Sequence, residues 1–176
     1  MIETPRLILR GWRADDLDPW VAMNADPEVM RFFPAIQTAE ESQAMMARNQ
    51  AHIDQNGFGL WAVERREDGA FLGFTGLAVL KDINPLFPGV EAGWRLAAHA
   101  WGQGYASEAA TAAIEDGFRR CDLARIVAFT AVPNLPSQTV MRRIGMTRRE
   151  DLDFDHPVLP KGHMLERHLV WDISHP

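Results

Sequence analysis

Along the chain the apolar positions change their period several times, and each change marks a new element. The residues PRLILRGW (5–12) are rich in β-formers and predict an opening strand. In RADDLDPWVAMNADPEVMRFF (13–33), acidic residues come early and Leu17, Trp20, Val21 and Met23 are spaced apart. That pattern predicts short helices broken near Pro27. Thr38 followed by Glu41 has capping-box spacing, so the polar segment bearing Ala and Met to about residue 55 reads as a helix. GLWAVERR (59–66) and AFLGFTGLAVL (70–80) flank the turn EDG and predict a hairpin. A proline-rich loop, DINPLFPG, then leads to a fourth strand, VEAGWRLA (90–97).

From Tyr105 the spacing becomes helical. Ala106, Ala109, Ala110, Ala113, Ile114, Gly117, Phe118 and Cys121 form one stripe, and Glu108, Thr111, Glu115, Asp116 and Arg119 lie on other faces. RIVAFTAV (125–132) predicts a fifth strand and LPSQTVMRRI (135–144) a helix, with Gly145 as its C-terminal cap. MTRREDLDF (146–154) and HMLERHLVWDI (163–173) predict two closing strands. The order is β-α-α-β-β-β-α-β-α-β-β, an α/β domain around a mixed sheet. No repeat or linker divides it, so residues 1–176 read as one domain.

Composition narrows this picture modestly. An apolar fraction of 47% and a charged fraction of 24% suit a soluble globular domain. The net charge of -6 argues against a general nucleic-acid binder, although Arg142, Arg143, Arg148 and Arg149 make a local basic cluster. A single cysteine forms no internal disulfide, and neither a signal-peptide core nor an apolar run of about eighteen residues is present. The expected location is therefore cytoplasmic, with no membrane partner. No metal is expected: His163 and His168 are five apart on a predicted strand and point to opposite faces. Cys121 continues the small-residue stripe and reads as core rather than nucleophile. Of the six tryptophans, Trp61 and Trp101 are candidates for a cleft wall, and most of the others read as core.

The chemistry concentrates in WRLAAHAWGQGYASEA, where a strand runs through two glycines into a helix. A helix start offers unpaired N–H groups and the positive end of its dipole, and glycine lets an anion approach the backbone. A P-loop requires a lysine after the last glycine, and none follows Gly104. A Rossmann loop is approached by Gly102, Gly104 and Ser107. Its acidic ribose ligand is missing at the end of RIVAFTAV, and the loop lies mid-chain rather than at the first βα turn.

The segment His99-Ala100-Trp101-Gly102-Gln103-Gly104 resembles motif A of the GNAT superfamily of acyl-CoA-dependent N-acyltransferases, [QR]-x-x-G-x-[GA]. The run WGQGYASEA is similar to the branch containing ribosomal-protein N-terminal acetyltransferases (RimJ/RimL-like). TPRLILR, FLGFTGL, VEAGWRL and NLPSQTVMRRIGM resemble the same branch, so the likeness covers essentially the whole chain in order. His99 replaces the family's Gln or Arg and loses a fixed positive charge there.

The resemblance implies a GNAT fold, mostly antiparallel and splayed between the fourth and fifth strands, with acetyl-CoA as cosubstrate. By that likeness Gly102, Gln103, Gly104, Tyr105 and Ala106 surround the pyrophosphate, the backbone of Trp94, Arg95 and Leu96 takes the pantetheine arm, and Asn134 bonds its amides. Asn134 also reads as a simple loop or cap residue. Ser137 matches the branch's proposed donor to the leaving thiolate, while its place at a helix start equally suits a capping hydroxyl. Glu91, on the fourth strand, is the candidate base, with a structural carboxylate as the rival reading. Asp155 and His156 form a second pair near the expected acceptor entrance, where turn residues are commoner.

The acceptor is an amine, either a peptide N-terminus or a small molecule such as an antibiotic or metabolite. The acidic net charge would help attract a basic one. A non-catalytic acyl-CoA-binding module is the alternative outside enzymes. Segments 26–56 and 151–163 are expected to shape the acceptor pocket, and either a monomer or a homodimer is compatible with the sequence.

Overall fold

The computed structural model describes residues 1–175. Among these, strands β1 (Ile2–Glu3) and β2 (Leu7–Arg10) are followed by helices α1 (Leu17–Ala25) and α2 (Ala39–Asn56). Strands β3 (Leu60–Arg65), β4 (Phe71–Val79) and β5 (Val90–Leu96) lead to helix α3 (Tyr105–Cys121). Strand β6 (Arg125–Ala131), helix α4 (Leu135–Arg143), and strands β7 (Thr147–Arg148), β8 (Phe154–Asp155) and β9 (Arg167–Ser174) complete the chain. One sheet runs β1-β2-β3-β4-β5-β6-β9-β7, with β8 also on β9. The expected α/β architecture and its element order are present.

Local chemistry explains most boundaries. Thr38 and Glu41 bond reciprocally at the start of α2, Glu41 N–H to the Thr38 hydroxyl and Thr38 N–H to the Glu41 carboxylate, as the capping box predicts. The small-residue stripe of α3 lies flat on the sheet. A Cβ on Gly117 would come within 2.4 Å of Leu77 Cδ1, so this approach requires glycine. Leu77, Ile114, Phe118, Ile126 and Met141 then close one half of the core, and Leu9, Trp20, Val63, Leu72 and Ala109 the other.

The sheet is continuous except in its middle. β4 and β5 pair antiparallel through seven positions, from Gly73 with Leu96 to Val79 with Val90. β6 and β9 likewise pair through seven. Between them, β5 and β6 run parallel and share a single register pair, Glu91 with Val127. Beyond that pair the two strands diverge, one into the glycine loop and the other into α4. This is the expected splay.

Three predicted strands come out differently. The opening one, expected over 5–12, is shortened to β2, and a further short strand, β1, precedes it across a turn in which Thr4 N–H bonds Leu7 O. Residues 146–154 form no continuous strand, but β7, a 3-10 turn (Glu150–Leu152) and β8. The reason is Asp153, whose carboxylate accepts the Val170 N–H of β9 and pairs with Arg148, replacing a ladder bond by a side-chain bond. The last strand starts only at Arg167. His163 belongs to the preceding turn, where its Nδ1 accepts the Leu165 N–H, so it and His168 are not a same-strand pair.

Candidate active site

Past Leu96 the chain makes a short 3-10 turn (Ala98–Ala100), anchored by the Trp101 indole N–H on the Leu96 carbonyl at 2.8 Å. Gly102 and Gly104 then adopt φ of 74° and 81°, left-handed conformations that side chains with a Cβ rarely take. Gly104 is the N-cap of α3, and its carbonyl receives the Glu108 N–H at 3.0 Å. The N–H groups of Tyr105, Ala106 and Ser107 thus precede the first intrahelical bond, at the positive end of a seventeen-residue helix.

This loop is stapled from outside. Arg6 bonds Glu108 through Nε (2.7 Å) and Nη2 (2.6 Å), donates from Nη1 to Gln103 O (2.9 Å) and lies 4.6 Å from the Tyr105 ring centre. The Thr4 hydroxyl also donates to Glu108, at 2.7 Å. Burial would raise the Glu108 pKa, but these hydrogen bonds from Thr4 and Arg6 outweigh it and hold the carboxyl below its ordinary value.

Facing the loop across the splay is the start of α4. Asn134 is its N-cap: Oδ1 accepts the Ser137 N–H at 3.3 Å, and Nδ2 donates to Thr130 Oγ1 at 2.9 Å. Capping therefore falls to Asn134. Ser137 is the third residue of the helix, and its hydroxyl makes no hydrogen bond among the described residues.

A cleft of about 400 Å³ lies between these walls. It is lined by Trp94, Arg95 and Leu96 of β5, by Trp101, Gly102, Gly104, Tyr105, Ala106 and Ser107, and by Asn134 and Ser137. Val29, Arg31, Phe32 and Phe33, from the connection between α1 and α2, form a further wall. Three arginines (31, 95 and 143) line it and no acidic residue does, the reverse of the chain's net charge of -6.

Side chains alternate along β5, so Glu91, Gly93 and Arg95 share one face and Ala92, Trp94 and Leu96 the other. Arg95 reaches Asn24 of α1, which defines its face as that of α1 and α2. Glu91 has no hydrogen bond or ion pair among the described residues. Burial raises its pKa to about 7, partly offset by the charge of Lys81. Arg95 is 7% exposed, and burial lowers its pKa to about 10.

Most of the expected cofactor residues are thus brought together. His99 and Gln103 stand apart: neither lines the cleft, and Gln103 Nε2 bonds the His99 carbonyl at 3.0 Å to brace the loop from outside. Glu91 is likewise absent from the lining and sits at the vertex of the splay. Trp61 is not a cleft residue as expected; it is 6% exposed within the core, while Trp94 joins Trp101 at the wall.

The expected contribution of 26–56 to the cleft comes from residues 29–33, whereas nothing from 151–163 lines it. Asp155 instead pairs with Arg167, and His156 packs 4.9 Å from His168 among Phe129 and Phe154. Arg148 and Arg149 of the basic cluster are neutralised by Asp153, Asp151 and Asp172. Arg31 and Phe33 carried no signal in the sequence, because they meet the site through contacts distant along the chain. Arg6, Glu108 and Arg143 lie within TPRLILR, WGQGYASEA and NLPSQTVMRRIGM, but those runs do not show the Arg6–Glu108 staple or the place of Arg143 at the cleft.

Among the described residues no helix is long and apolar enough to cross a membrane, and no group of three or more His, Cys, Asp or Glu side chains is placed to hold a metal ion.

The splayed sheet, opening on a glycine turn that leads into a helix, also has counterparts among known proteins. Residues 6–147 match the acetyltransferase (GNAT) domain family, and the chain belongs to it. It is 31% identical to the uncharacterised N-acetyltransferase YnaD of Bacillus subtilis over 92% of this chain and 89% of that one. It is 29% identical to the FsC-acetyl coenzyme A-N(2)-transacetylase of Aspergillus fumigatus, over 92% of this chain and 71% of that protein. The crystal structure of a GNAT-family acetyltransferase from Bacillus anthracis superposes with a TM-score of 0.81 at 25% identity, covering 98% of this chain and 97% of the other. The protein is an N-acetyltransferase of this family.

Proposed function

We propose that the protein moves an acetyl group from acetyl-CoA directly to a primary amine, with both bound in the splay at once. The observation that carries this reading is the pairing of two walls. One is a row of free helix-start N–H groups beside Gly102 and Gly104; the other holds Asn134 and an unbonded Ser137 hydroxyl. Unpaired backbone donors at the positive end of a helix fit a pyrophosphate, and Arg31 and Arg143 at the acid-free cleft fit a polyanion. Asn134 retains one N–H and one lone pair for an amide of the pantetheine arm after its bonds to Thr130 and Ser137.

Acetyl-CoA supplies an activated acyl thioester with a leaving thiol of pKa about 8.5. Departure of that thiol needs a hydrogen-bond donor rather than a strong acid, and Ser137 has a hydroxyl free for it. Glu91, with a carboxyl titrating near neutrality, takes the proton from the attacking amine.

The amine's own acidity bears on the acceptor. Deprotonating an α-amine of pKa about 7.7–8.0 at neutral pH costs about 1 kcal/mol, against about 4.6 kcal/mol for a lysine. A base titrating near 7 suits an α-amine, of a peptide N-terminus as in the RimJ/RimL-like branch or of a small molecule. The test is incubation with acetyl-CoA, a thiol reagent and a panel of peptide, amino-acid and polyamine acceptors, with mass spectrometry of the products. Stoichiometric thiol release and product gaining one acetyl group are expected. Binding of acetyl-CoA with no turnover on any amine would overturn the reading.

A further inference from the structure

Arg95 is a buried cation that the described residues leave without an ion pair. Its exposure is 7%, and no carboxylate pairs with it among the described residues. A charge removed from water this far is normally matched by an opposite one. By contrast, Arg10, equally buried, is held by both Asp16 and Glu64. The Arg95 guanidinium is surrounded by rings, 4.0 Å from the centre of Phe33, 5.5 Å from Phe74 and 5.7 Å from Trp20, which compensate only part of its desolvation.

Its hydrogen bonding is one-sided. Nη1 donates to Asn24 Oδ1 at 2.7 Å, and Asn24 is itself fully buried and tied to the Ser42 hydroxyl of α2 at 3.1 Å. The group is therefore fixed in place by α1 and α2. Nε is buried with no partner, and Nη2 makes no bond either. The Nε–Nη2 edge is the one that accepts a carboxylate side-on through two parallel hydrogen bonds. Arg95 and Phe33 both line the cleft.

Of the residues on its face of β5, Arg95 lines the cleft and Glu91 does not; beside Gly93 the side chain of Leu60 closes the face, 3.7 Å from the position of a Cβ. Within a cleft that carries no acidic side chain, an unpaired guanidinium is the complement of a carboxylate, and the acetyltransferase reading already requires the acceptor to carry an amine.

We infer that the acetyl acceptor is an amine that also bears a carboxylate, of the amino-acid class, and that the guanidinium of Arg95 binds that carboxylate. The inference rests on the acetyltransferase reading above and specifies its acceptor. It runs against the attraction of a basic acceptor suggested by the net charge, because the field inside the cleft has the opposite sign to that of the whole chain.

The experiment compares matched acceptors on the wild-type protein: α-amino acids, their amides and their decarboxylated amines, with kcat/KM from thiol release. The acids are expected to exceed their amides and decarboxylated partners by at least about tenfold, the size of one charge-assisted pair. Arg95→Met should remove that ratio while changing acetyl-CoA affinity, by calorimetry, less than about twofold; Arg95→Lys, which keeps the charge without the fork, should reduce it partly.

Equal rates on acids and decarboxylated amines would overturn the inference and leave the acetyltransferase reading intact. So would a preference that survives in Arg95→Met, or a loss of acetyl-CoA affinity matching the loss of rate, which would assign the anion to the cosubstrate's phosphates. Absence of transfer to every amine would overturn both readings. The wild-type comparison decides the matter even if the variants do not fold.

Discussion

On the α3 side of the cleft the groups on offer are backbone N–H donors, whose placement depends on two left-handed glycines and on the Arg6–Glu108 staple. On the β5 side the chemical groups are side chains, the buried Arg95 and the half-buried Glu91, neither of them held in an ion pair among the described residues. The difference is one of cost. Helix-start donors arise wherever a helix begins and need only an exposed, correctly shaped approach. An unpaired guanidinium inside the protein is destabilising in the free state. The backbone wall suits the pyrophosphate of a cosubstrate, and the side-chain wall suits recognition of a particular acceptor.

The sharpest way to break the backbone wall is Gly104→Val. A Cβ there would meet only Arg6 Nη2, at 3.5 Å, so the damage comes from the φ of 81° and not from a clash. A β-branched residue in that region costs on the order of 2 kcal/mol, and acetyl-CoA affinity should fall about thirtyfold by calorimetry. Unchanged affinity in a folded variant would remove the loop from the site.

Ser137→Ala tests whether α4 contributes chemistry or only architecture. Its hydroxyl makes no bond within the protein and the cap belongs to Asn134, so the melting temperature should not move. The effect should fall on kcat, about tenfold, with the acetyl-CoA KM nearly constant, because a bond to a developing thiolate forms in the transition state. An equal kcat would dismiss the role.

Glu91→Gln probes the side-chain wall through pH. The wild-type kcat/KM should rise through about pH 7 as the carboxyl ionises, and the variant should lose that limb and about fivefold in rate there. Stability carries the opposite sign. A carboxyl whose folded pKa is raised stabilises the fold fully below its unfolded value of about 4.3, and that contribution is lost as pH rises to about 7. Relative to wild type, Glu91→Gln should therefore gain in melting temperature as pH rises from about 4 to about 7, and the difference should level off above that. A difference independent of pH would show that the carboxyl is not buried in solution.

The smallest effect is expected at the staple. Arg6 is half exposed, and exposed ion pairs contribute little. Arg6→Ala should weaken acetyl-CoA binding about threefold through a looser loop, and the loss should persist at high salt, where the pair is already screened, only if the Gln103 carbonyl bond matters.

How much of this could be read along the chain depends on the range of the interactions involved. The capping box of α2, the small-residue stripe of α3, the EDG hairpin and the glycine loop all work within a few residues, and the sequence by itself determined them. So did the family, since its motifs are local runs in fixed order. The broken segment 146–154 was illegible because Asp153 takes its bond from Val170, seventeen residues away. Which side chains face the cleft, and with what charge, was also decided only by tertiary structure. Arg95 is one arginine among many until Asn24, Phe33 and Phe74 close around it, and Glu91 is an ordinary glutamate until packing at the vertex of the splay raises its pKa. Burial without a partner is a property of the assembled fold, because desolvation depends on everything that packs around a group and on nothing the group carries itself.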